Sequence, residues 1–163
     1  MSAVRCFIGL GSNLGDPLAN LHSALAQLAG CQGITLRGVS RFYSSKPMGP
    51  KDQPDYINAV AAVDTVLDAH AVLQMLFVVE RAHGRVRDAA LRWGARTLDL
   101  DLLLYADAII TDMDLCVPHP GICERSFVIL PLLDLAPCLV LPNGKSLHQC
   151  RAALACDDLK PLV

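Results

Sequence analysis

Hydrophobic and polar positions follow two periods along this chain, the alternation typical of strands and the three- to four-residue spacing typical of helices. Residues 4–10 (VRCFIGL) form an apolar run that predicts a mostly buried strand, and turn formers at 11–13 end it. Asp16 is a typical N-cap and Pro17 a typical first helical residue, so we expect a helix that closes at Gly30. Its predicted inward stripe consists of Leu18, Leu21, Leu25 and Leu28.

The same two periods continue to residue 105. Strands are predicted over 34–43, 56–65 and 98–105, and the segment SSKPMGPKDQPDY between the first two contains three prolines, which predict a long loop. Asp68 is expected to cap a second helix that ends at Gly84. The order β-α-β-β-α-β predicts a ferredoxin-like α+β fold, an antiparallel sheet with the helices on one face. Short strands near 108–117, a helix from Ser126 through Leu135 that includes Pro131, and a small terminal element are expected to complete one domain over residues 1–163.

Composition narrows the class of protein. The chain is 53% hydrophobic and 18% charged, which predicts a compact globule. Its net charge of -2 and pI near 6.2 argue against a nucleic-acid partner. No apolar run approaches the roughly 20 residues that span a bilayer, and the first residues break into glycines too early for a secretory signal. The seven cysteines are scattered without a C-x-x-C pair, which favours reduced thiols in a cytoplasmic protein.

Asp99 and Asp101, in the run LDLDLLLY, are the first candidates for chemistry. Alternate strand residues face the same way, so the two carboxylates project from one face about 7 Å apart while leucines fill the other. Paired carboxylates suit magnesium, which keeps several waters and takes substrate phosphates as further ligands. A plain amphipathic strand with one solvated face explains the same pattern.

Arginines favour the metal interpretation. Ten of the fourteen basic residues are arginines, and five lie within sixteen positions, namely Arg81, Arg85, Arg87, Arg92 and Arg96. Guanidinium groups bind phosphate oxygens bidentately, and this cluster runs straight into the acidic strand. Gly9, Gly11 and Gly15 do not fit the dinucleotide fingerprint, and the chain contains no P-loop, so side chains are expected to bind the nucleotide and these glycines to form a plain turn. His119 lies between two prolines that could aim its imidazole, whereas the other four histidines show no partner pattern.

With these residues in place, the chain resembles the 6-hydroxymethyl-7,8-dihydropterin pyrophosphokinase family over nearly its whole length. The most specific motif is RWGARTLDLDLL at 92–103. It is supported in order by GSNLGD at 11–16, PMGPKDQPDYINA at 47–59, GRVR at 84–87, VPH at 117–119 and RSF at 125–127.

The resemblance implies transfer of the β,γ-diphosphate of ATP to a pterin hydroxymethyl group in folate biosynthesis, with AMP released. It implies two magnesium ions on Asp99 and Asp101 and a catalytic role for both carboxylates together with Arg85 and Arg96. We expect a monomer whose partners are these small molecules. The implied ATP contacts are Arg85, Arg87, Arg92, Arg96, His119 and Arg125. The implied pterin contacts are Ser45, Pro47, Met48, Tyr56, Asn58, Trp93 and Phe127, with Trp93 and Phe127 stacking on the ring.

Two other interpretations stay open at this point. Another magnesium-dependent phosphoryl or nucleotidyl transferase on the same fold would keep the carboxylates without needing Asn58, Trp93 and Phe127. A non-catalytic module that binds RNA or a regulatory ligand would need a basic or aromatic sheet face, which the acidic strand and the low pI argue against.

Overall fold

A computed structural model describes residues 2–47, 52–84, 97–156 and 159–162. The first part of the chain contains β1 (Val4–Ser12), α1 (Pro17–Ala29), β2 (Ile34–Val39), β3 (Tyr43–Ser45), β4 (Tyr56–Thr65), α2 (Ala69–Ala82) and β5 (Asp99–Tyr105). It is followed by β6 (Ile110–Thr111), β7 (Cys116–Val117), α3 (Ser126–Leu135), α4 (Leu147–Ala152) and β8 (Lys160–Pro161). None of the helices in these ranges has the length and apolar character that a membrane span requires.

Both long helices begin where their caps predict. The Asp16 carboxylate accepts a hydrogen bond from the Ala19 N–H at 3.1 Å, and Asp68 accepts one from Ala71 at 2.8 Å. Each cap satisfies a first-turn donor that has no partner inside the helix. Leu18, which was expected to face inward, is instead 39% exposed, because it lies in the first turn before the helix meets the core.

The main sheet has the predicted ferredoxin-like order. Its strands run β5-β1-β4, and β2 and β3 pair with successive halves of the far edge of β4, with each of these pairs antiparallel. The single strand predicted over 34–43 is therefore two strands. Ser40 interrupts it, because its hydroxyl accepts the Val60 N–H at 2.9 Å and its own N–H donates to the Val60 carbonyl.

The two helices of the β-α-β-β-α-β order, α1 and α2, lie on one face of the sheet as predicted, and the later helices α3 and α4 cover the other face. Cys6, Ile8 and Leu10 of β1 pack with α1 and α2 in a first core. Phe7 of the same strand packs with α3 and α4 in a second core. The arrangement suits the strands at the centre of the sheet, because apolar residues on both of their faces need a covering layer on each side.

The helix predicted from Ser126 through Leu135 is present with Pro131 inside it. Pro131 is buried, and apolar residues of α3 such as Ile129 and Leu132 pack into the second core. Burial of this apolar face offsets the missing backbone donor of the proline. The helix matters for function because it begins directly after Arg125.

Candidate active site

Asp99 and Asp101 lie on the face of β5 that is directed toward the second core, while Leu98, Leu100 and Leu102 are buried in the first core. Asp101 is 37% exposed at its side chain, and its Oδ1 lies 3.8 Å from His119 Nε2. The register places Gly11 beside Asp99 and Gly9 beside Asp101. The strand therefore presents two partly exposed carboxylates next to an imidazole, as the alternation predicted.

Hydrogen bonds from the end of β1 and from α1 hold the chain just before β5. The Ser12 hydroxyl donates to the Thr97 carbonyl, and the Asn20 amide donates to the same oxygen at 3.1 Å. Asn13 donates to the Gln53 side chain and to the Pro54 carbonyl, both at 2.9 Å. Ser12 and Asn13 are buried at 0% and 1% exposure, so they act as an anchor for two other parts of the chain.

Sequence reasoning missed the role of Glu80. This residue of α2 is 1% exposed, and its carboxylate accepts the Leu100 N–H at 2.8 Å. Leu100 stands between the two aspartates, so Glu80 fixes the backbone that carries them. A signal existed in the sequence, because Glu80 falls on the same helical stripe as Val72, Leu73 and Leu76, where an apolar residue is the rule.

His119 is held by its own backbone and by a neighbour. Its N–H donates to the Leu103 carbonyl at 2.9 Å, and the Gly121 N–H donates to His119 Nδ1 at 3.0 Å. An Nδ1 that accepts a hydrogen bond leaves the proton of the neutral ring on Nε2, the atom that faces Asp101. Burial lowers the pKa of His119, the positive charge of Arg125 lowers it further, and the negative charge of Asp99 raises it. The net shift is downward, so the neutral ring predominates at pH 7.

Arg125 and Phe127 follow on the same segment. The guanidinium carbon of Arg125 lies 5.8 Å from the centroid of the Phe127 ring, a cation–π distance. Arg125 also packs over Gly121, where a Cβ would come within 2.6 Å of its Nε. Phe127 is half-buried against the second core. This segment therefore brings a cation and an aromatic face close to His119.

Asn58 belongs to a row of residues that crosses the sheet. The register aligns Tyr43, Asn58, Gly11 and Asp99 on neighbouring strands, and the Asn58 amide donates to Ser45 Oγ at 2.6 Å. Two strand spacings separate Asn58 from Asp99, which is about 10 Å between their Cα atoms. We call Asn58, Gly11, Asp99 and Asp101 the polar end of the sheet.

Two further predicted residues flank this row. Tyr56 stands two residues before Asn58 and is half-buried, with its ring 3.6 Å from the place of a Cβ on Gly11. Pro47 is half-buried and follows β3 closely. The structure thus brings together the predicted residues Ser45, Tyr56 and Asn58 on β3 and β4.

The expectation that Gly9 and Gly11 form a plain turn is wrong. Both lie inside β1, where Gly11 separates Asn58 from Asp99. A Cβ at Gly11 would approach Asn58 Oδ1 to 3.0 Å, whereas a Cβ at Gly9 would meet the Leu103 side chain at an ordinary 3.5 Å. The glycine at 11 leaves room on the face where the polar side chains meet, which a turn motif does not predict.

We expect Gly11→Ala to weaken binding of the pterin that the family resemblance implies by about tenfold, because the added methyl group crowds Asn58 and occupies space at the polar end. A tenfold change corresponds to about 1.4 kcal/mol. The KM for the pterin in a steady-state assay measures the effect. Gly9→Ala is the matched control, since it adds the same methyl group to the same strand in ordinary van der Waals contact. Equal KM values for the two variants would contradict this role of Gly11.

Three histidines that showed no partner pattern in the sequence have structural partners. The His22 ring packs edge-on against Phe42 with centroids 5.0 Å apart, and His83 bonds the Val79 carbonyl at 2.8 Å. His70 Nε2 lies 2.9 Å from Asp112 on the β6–β7 turn. These contacts are made through ring edges and nitrogens that sequence spacing alone does not reveal.

Six predicted site residues lie outside the described ranges. They are Met48, Arg85, Arg87, Arg92, Trp93 and Arg96. Their expected contacts with the pterin and the phosphates stay predictions. The described part of the site comprises the carboxylates, the residues around Asn58, and the segment from His119 through Phe127.

Comparison with known proteins gives a consistent result. Residues 7–137 match the family model described as 7,8-dihydro-6-hydroxymethylpterin-pyrophosphokinase (HPPK). The chain is 47% identical over 146 residues to a 2-amino-4-hydroxy-6-hydroxymethyldihydropteridine pyrophosphokinase of Haemophilus influenzae, covering 90% of each chain. It is 43% identical over 158 residues to the protein of the same name from Pseudomonas aeruginosa, covering 97% of this chain and 96% of that one.

Solved structures agree on the fold. A Plasmodium falciparum HPPK-DHPS triple mutant with pteroate superposes with a TM-score of 0.73 at 11% identity over 98% of this chain. An HPPK-DHPS structure in complex with substrates gives a TM-score of 0.72 at 12% identity over 93% of this chain. The chain spans less than half of these two solved chains, 46% and 44%.

Proposed function

The chain belongs to the 7,8-dihydro-6-hydroxymethylpterin pyrophosphokinase family, and we propose that the polar end of its sheet is where this family's reaction takes place. The enzyme transfers the β,γ-diphosphate of ATP to the hydroxymethyl group of 6-hydroxymethyl-7,8-dihydropterin in folate biosynthesis, and AMP is released. The observation that carries the site assignment is the row from Asn58 through Gly11 to Asp99, with Asp101 next to His119.

The donor set at β5 fits magnesium. Asp99 and Asp101 offer carboxylate oxygens, which magnesium prefers, and both side chains are partly exposed, so substrate phosphates and water can reach them. Two bound magnesium ions would neutralise phosphate charge and activate the attacking hydroxyl. We propose that Asp99 and Asp101 hold them. Glu80 supports this role, since its bond to Leu100 keeps the strand between the two carboxylates in place.

His119 and Arg125 are suited to the nucleotide side. Arg125 supplies a fixed positive charge for phosphate oxygens. The neutral His119 ring can donate a hydrogen bond through Nε2 without adding a second charge, because burial and Arg125 lower its pKa. The predicted contacts of Arg85, Arg87, Arg92 and Arg96 would extend this set of donors. Their proposed part is to surround the triphosphate and to position it for in-line attack.

Asn58 and its neighbours are suited to the pterin. The pterin ring has amide and amine groups on its edge, and Asn58 is 5% exposed and oriented by Ser45. Phe127, in the segment that follows His119, offers an aromatic face for stacking on the pterin ring. Trp93 is predicted to stack on the other side of the ring. The separation of about 10 Å between Asn58 and Asp99 lets a ring bound at Asn58 extend its hydroxymethyl group toward the carboxylates.

The identity of the leaving product tests the reaction directly. We expect protein incubated with magnesium ATP and hydroxymethyldihydropterin to form AMP and the pterin diphosphate in equal amounts, measured by anion-exchange chromatography. A reaction without the pterin controls for background hydrolysis. Formation of ADP would indicate a simple kinase on the same fold and would refute diphosphate transfer. The cytoplasmic location and the monomeric state stay predictions.

A further inference from the structure

Two cysteines meet beside the segment from His119 through Phe127, which we propose to contact the nucleotide and call the nucleotide segment. Cys123 Sγ lies 2.7 Å from Cys150 Sγ, and the two residues are 27 positions apart in the chain. Cys123 is half-exposed, whereas Cys150 is 3% exposed and packs in the second core. Both are free thiols, and their sulfur atoms are less than 1 Å farther apart than those of a disulfide, which are about 2.05 Å apart.

The parts of the chain that carry the two thiols are both well fixed. Cys150 is on α4, which begins with a complete capping box in which Ser146 and Gln149 bond reciprocally. Cys123 lies in the turn between His119 and α3, where the Ile122 N–H donates to His119 and the Glu124 N–H donates to Gly121. The S–S approach is therefore a product of the packing of this turn against α4, and bond formation requires little movement of either.

We propose that Cys123 and Cys150 form a reversible disulfide when the protein meets a peroxide, and that this bond ties the turn carrying His119 to α4. The more exposed Cys123 sulfur attacks one oxygen of hydrogen peroxide, which breaks the O–O bond and leaves Cys123 as a sulfenic acid with one water released. The Cys150 sulfur then attacks the Cys123 sulfur and displaces a second water. The two thiols together lose two electrons as the disulfide forms, and one hydrogen peroxide gains them and is reduced to two waters.

The chemistry of Cys123 sets the conditions for this reaction. Burial raises the pKa of the Cys123 thiol to about 11, and its hydrogen bond with Cys150 contributes in the same direction. Only the thiolate is nucleophilic, so oxidation at neutral pH is slow and accelerates as the pH rises. The pair therefore stays reduced under ordinary conditions and reacts only with sustained oxidant, in contrast to low-pKa sensor thiols, which react quickly.

A consequence for catalysis rests on the proposed function of His119 and Arg125. Arg125 is two residues from Cys123, and its side chain packs over Gly121 of the same turn. Contraction of the sulfur pair shifts this turn by less than 1 Å, which is enough to misplace groups that position a substrate. We expect the KM for ATP to rise by about threefold or more in the oxidised protein, with the pterin KM much less affected.

The test uses hydrogen peroxide at pH 8.5 on the full chain, followed by peptide mapping under non-reducing conditions. We expect a Cys123–Cys150 crosslink, loss of two of the seven thiols, and a rise in Tm of about 5 to 10 °C from closing the loop, all reversed by dithiothreitol. Cys150→Ser and Cys123→Ser should each abolish the crosslink and the rise in Tm. Cys138→Ser, which removes an exposed thiol, is the matched control and should keep both.

The formation of the disulfide and its effect on the KM for ATP are tested by different results. A Cys123 that is oxidised to sulfinic acid while Cys150 stays a thiol, or crosslinks that join other cysteines instead, would refute the disulfide. A mapped Cys123–Cys150 bond with an unchanged KM for ATP would support the disulfide and refute its effect on the nucleotide segment. Absence of AMP formation by the reduced protein would count against the proposed function and leave the disulfide result unaffected.

Discussion

Asp101→Asn is expected to lower kcat for diphosphate transfer by about a thousandfold or more, which corresponds to about 4 kcal/mol of transition-state stabilisation. The change keeps the shape of the side chain and removes the negative charge that would bind magnesium. Asp101 is also the carboxylate next to His119, so its loss would affect both the proposed metal site and the proposed nucleotide contact of His119. Stability should change little, because the side chain is 37% exposed.

A coupled assay for AMP across a magnesium titration measures the effect, and urea unfolding measures stability. Asp107→Asn is the matched control, since it makes the same substitution at an exposed residue just after β5 and should leave kcat unchanged. An Asp101→Asn protein with wild-type turnover and an unchanged magnesium requirement would refute the role of this carboxylate in metal binding.

Glu80→Leu should reduce both stability and activity. Leucine can fill the buried place of Glu80 on the inner face of α2, but it cannot accept a hydrogen bond from the Leu100 N–H. The loss of this acceptor costs about 1–3 kcal/mol of unfolding free energy. The unsupported backbone lies between Asp99 and Asp101, so kcat should also fall by about tenfold or more, since small displacements of positioned groups are costly.

Glu80→Gln separates hydrogen bonding from packing in this prediction. Its amide oxygen can still accept from Leu100, so we expect it to recover most of the stability that Glu80→Leu loses. Urea unfolding and kcat measured on the same preparations make the comparison. If Gln and Leu at this position behave alike, the hydrogen bond to Leu100 is not what Glu80 contributes.

The helix starts and the shared face of the two aspartates were predictable from the sequence, because both depend on local interactions of the chain. Asp16 and Asp68 cap their helices because a side-chain oxygen next to a helix start satisfies a first-turn donor wherever it occurs. Asp99 and Asp101 share a face because strand alternation is a local property of the backbone. The order of strands and helices then restricted the fold to a ferredoxin-like arrangement, since few topologies accommodate it.

The roles of Gly11 and Glu80 and the position of the second layer of helices were not predictable from the sequence, because they depend on packing between distant parts of the chain. The place of Gly11 between Asn58 and Asp99 depends on register between three strands that are far apart in the chain. Glu80 meets Leu100 only after α2 packs on β5. The second layer of helices comes from residues after 125, and the pattern up to residue 105 contains no information about which face they cover.

The paired anchors at Ser12 and Asn13 have an evolutionary consequence. Ser12 fixes Thr97, where the chain returns from residues 85–96, and Asn13 fixes Gln53 and Pro54, where it returns from residues 48–51. Each return point is held independently of the length of the connection that leads to it. We therefore expect either connection to accept insertions or deletions while Asn58 and the two aspartates keep their places on the sheet.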